Sequence, residues 1–142
     1  MNKKSDTPRS VSFEIPSDPR QIHVVERKLE RFCQQSGFPP NDVENCAIAV
    51  TEMINNAIRH GNKGDVNKKV YAHFELNRNE MKITVMDEGC GFDPDNIGDP
   101  LHPDNLYKEN GRGIFIVKTL MDDVSFEIMS KGTKVTMRKK LK

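Results

Sequence analysis

The sequence predicts an α+β fold, with one largely antiparallel sheet and helices packed on one of its faces. Three observations carry this. Residues 69–86 alternate apolar and polar side chains around a short polar break, as a half-buried hairpin does. Apolar residues recur at spacings of three and four from Ile22 to Phe32 and again from Val43 to Ala57, which marks two amphipathic helices. The resulting order, β-α-α-β-β-loop-α-β-β, joins its strands mostly by hairpins. It offers few of the crossovers that a doubly wound parallel sheet needs.

Each element has its own signals. Residues 1–10 are polar and are expected to form a disordered lead, followed by a single domain over 11–142. Val11 to Ile15 alternates as a strand, closed by Pro16. Asp18-Pro19 is a helix-start pair, an N-cap residue followed by a proline whose φ is preset. The first helix then presents Ile22, Val25, Leu29 and Phe32 until Gly37 and Pro39-Pro40 stop it. Asn41 or Asp42 can cap the second helix, whose apolar face is Val43, Ala47, Val50, Ile54 and Ala57, with Gly61 as the expected left-handed C-terminal residue. Val70, Ala72, Phe74 and Leu76 make one strand and Met81 to Met86 the next. Residues 93–110 hold three prolines and several Asp and Asn, and loops of this length in a small domain tend to be lids. Gly111-Arg112-Gly113 opens a third helix with Ile114, Val117, Leu120 and Met121 as its apolar face. Val124–Met129 and Thr133–Met137 close the chain as a hairpin around Lys131-Gly132.

Composition removes several classes of function. The chain has 142 residues, 22 basic and 21 acidic, for a net charge of +1, so nothing calls for nucleic acid as the main partner. Its longest apolar run is the five residues Cys46 to Val50, far short of the roughly 20 that a membrane helix needs. The polar first ten residues do not resemble a secretory signal. The three cysteines, Cys33, Cys46 and Cys90, form no C-x-x-C, and the four histidines show no ligand spacing against them. A disulfide scaffold and a zinc site are therefore not expected, and a reducing cytoplasm is.

Three constellations could carry chemistry. On the second helix Glu52, Asn56 and His60 fall within an arc of about 80°, opposite the apolar face. Such a stripe is often only solvated, but Asn55-Asn56 in mid-helix is unusual, because Asn prefers caps. An amide oxygen suits Mg²⁺, and a Glu one turn earlier can accept a proton beside it. Asp87-x-Gly89-x-Gly91 follows a strand. Its glycines either serve a tight turn or let a flat ring approach the backbone, with the carboxylate accepting from an exocyclic amine. Gly111-x-Gly113 precedes a helix. It is either a plain junction or a row of bare N–H groups suited to phosphate.

Taken together and in this order, Glu52-x-x-x-Asn56-x-x-x-His60-Gly61, Asp87-x-Gly89-x-Gly91 and Gly111-x-Gly113 resemble the GHKL, or Bergerat-fold, ATP-binding superfamily. The match spans about residues 41–138. The compact size and Gly111-Arg112-Gly113-Ile114-Phe115-Ile116-Val117 look like the bacterial anti-sigma factor serine/threonine kinases. The resemblance implies a two-layer α/β sandwich with a largely antiparallel, mixed sheet. It implies ATP and Mg²⁺, with Glu52 as general base, Asn56 on the metal and Asp87 on the adenine amine. His60, Gly89, Gly91, Gly111 and Gly113 complete the nucleotide contacts, and Lys108 and Arg112 are both candidates for the γ-phosphate. It also implies a STAS-type anti-sigma-factor antagonist as phosphoacceptor, a sigma factor as second partner, and a homodimer. Phe13, Ile15, Ile22, Val25 and Leu29, on elements that hold no proposed ligand, are expected to supply a dimer surface, or else to pack onto the sheet of their own chain, as some of them must.

Two other readings compete with the kinase. An adaptor could bind ATP without transferring phosphate, and retention of Glu52 weighs mildly against that. A sensor histidine kinase core does not fit, because His23 lacks a following acidic residue and only about 40 residues precede the second helix.

Overall fold

The computed structural model describes residues 9–89 and 113–141. The chain runs β1 (Arg9–Pro16), α1 (Ile22–Gln34), α2 (Pro40–Asn56), β2 (Lys69–Leu76), β3 (Glu80–Met86), a helix α3 over residues 113–120, β4 (Asp123–Met129) and β5 (Gly132–Lys140). The five strands form one sheet in the order β1-β2-β3-β5-β4. Every pairing among them is antiparallel, so the expected α+β layer forms with no parallel pair among the described residues.

Register explains how the sheet obtains one dry face. Phe13, Ala72, Val85, Val135 and Phe126 line up across all five strands. One residue along, Ser12, His73, Thr84, Thr136 and Ser125 line up on the other face. Side chains alternate between faces, so the inward row meets the helices and the hydroxyl-rich row is left bare. A depression of about 660 Å³ opens on that bare face, lined in part by Tyr71, His73, Thr84 and Lys134. Phe74 anchors the dry side. It is fully buried, edge-on to Phe13 with ring centroids 5.4 Å apart and 6.0 Å from Phe32 of α1.

The helix boundaries follow local chemistry. Asp18 caps a single 3₁₀ turn, Pro19–Gln21, that leads into α1, its Oδ1 accepting from the Arg20 amide at 3.0 Å. The cap expected at Asn41 or Asp42 is not used. Helix α2 begins at Pro40, where the missing N–H would have been unpaired in any case, and Asp42 lies in its first turn. Strand β1 starts at Arg9, earlier than Val11. The Arg9 guanidinium reaches the end of α1, donating to Ser36 Oγ and to Gln35 Oε1 at 2.7 Å while lying 4.9 Å from the Phe32 ring centroid.

The apolar residues expected to form a dimer surface are used within the chain. Ile15, Val25 and Leu29 are buried in its own core, and Phe13 and Ile22 pack against it. Helices α1 and α2 cover the sheet, and a small domain must put its apolar helix faces there first. Among the described residues no helix is long and apolar enough to cross a membrane.

Candidate functional site

Helix α2 does not end as an ordinary helix. After Asn56 the ladder widens into a π turn over Ala57–Gly61, in which the Asn62 amide reaches back five residues to the Ala57 carbonyl at 2.8 Å. Such turns recur at functional sites. Here the widening lies between Asn56 and His60, so His60 does not continue the regular helical stripe of Glu52 and Asn56. Gly61 is not a left-handed terminus, because positive φ among the described glycines occurs at Gly37, Gly64 and Gly132. Gly61 is needed for space. A Cβ built on it would stand 2.1 Å from Asp87 Oδ2.

Asp87 continues the period-two pattern of β3. Val85 points to the dry face, Met86 to the bare one, and Asp87 inward again, where it is 7% exposed. Burial pushes its carboxyl above the ordinary range, an effect partly offset by amides donating to it. Oδ1 accepts from the Gly89 amide at 2.9 Å and the Thr133 amide at 3.1 Å. Among the described residues no donor reaches Oδ2. One oxygen is thus clamped, and the other is left for a donor from outside, as recognition of an exocyclic amine requires.

Three glycines shape this pocket. Besides Gly61, a Cβ on Gly89 would meet the Gly61 carbonyl oxygen at 2.3 Å, and one on Gly132 would meet the Asp87 carbonyl oxygen at 2.1 Å. Gly132 also has φ +114°, a conformation that side chains rarely adopt. At Gly89 the missing Cβ makes room for the Gly61 backbone, a close approach of two chain segments that the sequence did not display. In the sequence, Gly132 and Thr133 carry the signals of a turn and a strand only. The signal available was a Gly-Thr pair at the start of β5, and its importance depends on β3 lying alongside.

The other end of the site holds Glu52 and Gly113. Both Glu52 and Asn56 are half-buried on the exposed edge of α2. A Cβ on Gly113 would lie 2.6 Å from Glu52 Oε2, so the carboxylate rests against the glycine at the start of the described part of α3. The structure therefore brings Glu52 to Gly113, and Asp87 to Gly89 and Gly61. Gly91, Lys108, Gly111, Arg112 and the lid over 93–110 lie outside the described residues, as does Cys90. Cys33 and Cys46 are buried free thiols, each pushed up to about 12 chiefly by desolvation, and they take no part in the site.

The described site thus holds two carboxylates, Asp87 among Gly61, Gly89 and Gly132, and Glu52 against Gly113. Comparison with known proteins identifies the family. Residues 15–139 match the family described as the histidine kinase-like ATPase domain. The chain belongs to that family. Within it, the sequence is 30% identical over 137 residues to the serine-protein kinase RsbW of Bacillus subtilis, covering 92% of this chain and 85% of that protein. The RsbW of Bacillus cereus is 29% identical over 135 residues, covering 91% and 83%. Among solved structures, the RsbU and RsbW domains of a Mycobacterium tuberculosis protein superpose with TM-score 0.67 at 17% identity, covering 94% of this chain and 32% of that one. A blue-light-activated histidine kinase domain from Erythrobacter litoralis gives TM-score 0.57, also at 17% identity, covering 89% and 62%. The chain is thus a GHKL-type ATP-binding domain of the anti-sigma kinase kind.

Proposed function

We propose that this ATP-binding domain is a serine/threonine protein kinase that phosphorylates an anti-sigma-factor antagonist and also binds a sigma factor. The observation that carries the reading is the placement of the Glu52 carboxylate against Gly113, in the segment proposed to hold the phosphates. Phosphoryl transfer asks the protein mainly to position phosphates, supply positive charge and accept a hydroxyl proton. Glu52 would take the proton from the acceptor serine or threonine. Asp87 Oδ2 would hold the adenine amine, and His60 and Gly89 would lie along the nucleotide.

Asn56 is the residue proposed to hold Mg²⁺. Among the described residues no cluster of three or more His, Cys, Asp or Glu could hold a metal. An ion that relies on substrate phosphates and keeps several waters needs only such a single side-chain oxygen. When bound, Mg²⁺ supplies the charge that neutralises the phosphate oxygens. Gly91 would lie with Gly89 beside the base, and Gly111 and Gly113, with Lys108 or Arg112, complete the proposed phosphate contacts.

The partners in this reading are a STAS-type antagonist and a sigma factor, and the protein acts as a cytoplasmic homodimer. The relatives' name, serine-protein kinase, supports the acceptor chemistry. Incubation with Mg²⁺ and labelled ATP, with and without antagonist proteins encoded nearby, tests the proposal. Label on an antagonist serine or threonine is expected. Binding of ATP and a sigma factor with no transfer to any antagonist would leave an adaptor instead.

A further inference from the structure

Asn62 directly follows Gly61 and is 1% exposed. Its Nδ2 donates to Ser17 Oγ at 2.8 Å and to the Lys69 carbonyl at 2.9 Å, and its Oδ1 accepts from the Glu88 amide at 2.7 Å. One buried amide therefore joins three separate segments: the exit of β1, the start of β2 and the loop after β3. Ser17, also 1% exposed, donates its own hydroxyl to the Lys68 carbonyl at 2.7 Å, so toward Asn62 it can only accept. The Glu88 carboxylate accepts from the Lys69 amide, so Lys69 is held through both its backbone groups.

The loop that carries Asp87 shows why this matters. Its three consecutive amides all have partners. That of Asp87 goes to the Thr133 carbonyl at 3.1 Å, that of Glu88 to Asn62, and that of Gly89 to the Asp87 carboxylate itself. The first anchors the loop to β5 and the third is internal. Only the middle amide anchors it to the helix side, where Gly61 forms the wall of the pocket.

We propose that Asn62 is a positioning residue for adenine recognition: its side chain fixes the loop 87–89 against the end of α2 and so aims Asp87 Oδ2. The inference rests on the assignment of Asp87 to the adenine amine. A purely structural amide would lower stability and weaken all nucleotides alike. A positioning amide lowers the preference for adenine over guanine, because only adenine offers Asp87 a donor at that position.

The test is calorimetric binding of Mg²⁺-ADP and Mg²⁺-GDP to the full chain as wild type, Asn62→Ala, Ser17→Ala and Asp87→Asn. Asn62→Ala is expected to weaken ADP by about tenfold, the scale of one lost buried hydrogen bond, and GDP far less. Ser17→Ala, which removes one of the partners of Nδ2 on the β1 side, is expected to lower the ADP-to-GDP preference in the same direction by about threefold. ADP affinity unchanged in Asn62→Ala, or ADP and GDP weakened by one common factor, overturns the proposal. If Asn62→Ala does not fold, an unchanged preference in Ser17→Ala overturns it. Asp87→Asn separates the two layers. Wild-type ADP affinity in that variant removes the Asp87 assignment itself, whereas loss there with no change in the Asn62 and Ser17 variants removes the tether alone.

Discussion

Gly61 and Asp87 are separated by the room of a single hydrogen atom: a Cβ on the glycine would stand 2.1 Å from Oδ2 and 2.4 Å from Cγ of the carboxylate. The end of α2 and the end of β3 are thus fitted closely to each other beside the proposed adenine site. Gly61→Ala must displace the carboxylate or the π turn. Overpacking of this kind costs about 1–3 kcal/mol. A lowered melting temperature together with weaker ADP binding is expected, and a variant that matches the wild type in both would show that the two elements separate freely.

Asp87 illustrates a conflict between stability and binding. Its carboxyl is raised from 3.8, with burial as the largest cause. A raised value means that the folded chain holds the proton more tightly than the unfolded one. The stability linked to this group is therefore complete below 3.8 and is lost as pH rises through the folded value. Asp87→Asn keeps an oxygen for the Gly89 and Thr133 amides and carries no charge to desolvate. Without nucleotide it should melt above the wild type at neutral pH, with the difference shrinking toward acid, while its ADP affinity falls. Thermal scans across pH check the first part. A variant less stable than the wild type at neutral pH would contradict it.

Glu52 should govern transfer and leave binding nearly untouched. Glu52→Gln keeps the shape and removes the proton acceptor, so antagonist phosphorylation is expected to fall by about 10²–10⁴-fold at near-native ATP affinity. Gly113→Ala approaches the same group from the other side. Its new Cβ would press on Oε2, 2.6 Å away, which is the end of a side chain that can swing aside. Transfer should therefore drop while melting holds or rises, since Ala is the better helix former by about 1 kcal/mol. Single-turnover assays beside calorimetry measure both, and wild-type transfer in Glu52→Gln would reduce Glu52 to a surface residue.

Phe74 is the core position on which the layers depend most. Fully buried between Phe13 and Phe32, it joins β1, β2 and α1. Phe74→Ala is expected to cost about 3–5 kcal/mol, as removal of a buried ring usually does. Urea denaturation with an unchanged slope measures it. A loss below about 1 kcal/mol would mean that the neighbouring side chains collapse into the space.

The local pattern of this chain determined a good deal. Alternation in 69–86 predicted both strands and their inward faces, and one more step of the same alternation turns Asp87 inward. Spacings of three and four selected Val25, Leu29, Val50 and Ile54, all fully buried. These features are short-range. Whether a side chain faces in or out depends on the period of its own element, and a sequence displays that period directly. Glu52, Asn56, Asp87 and Gly113 could be singled out for the same reason, since each stands at a fixed offset within or beside a recognisable element.

The tertiary structure decided which atoms those residues meet. Gly61 has the sequence context of a helix terminus, yet the missing Cβ serves the approach of Asp87 from a strand 26 residues away. Gly132 and Thr133 looked like an ordinary turn until antiparallel pairing laid β5 beside β3 and brought their backbone to the Asp87 loop. Asn62 had no signal at all, because an asparagine after a glycine is a usual loop residue and its three partners come from three segments. In each case the deciding quantity is a distance between residues remote in sequence. Period and propensity carry no information about such a distance, because it is fixed only when the layers pack at close-packed density.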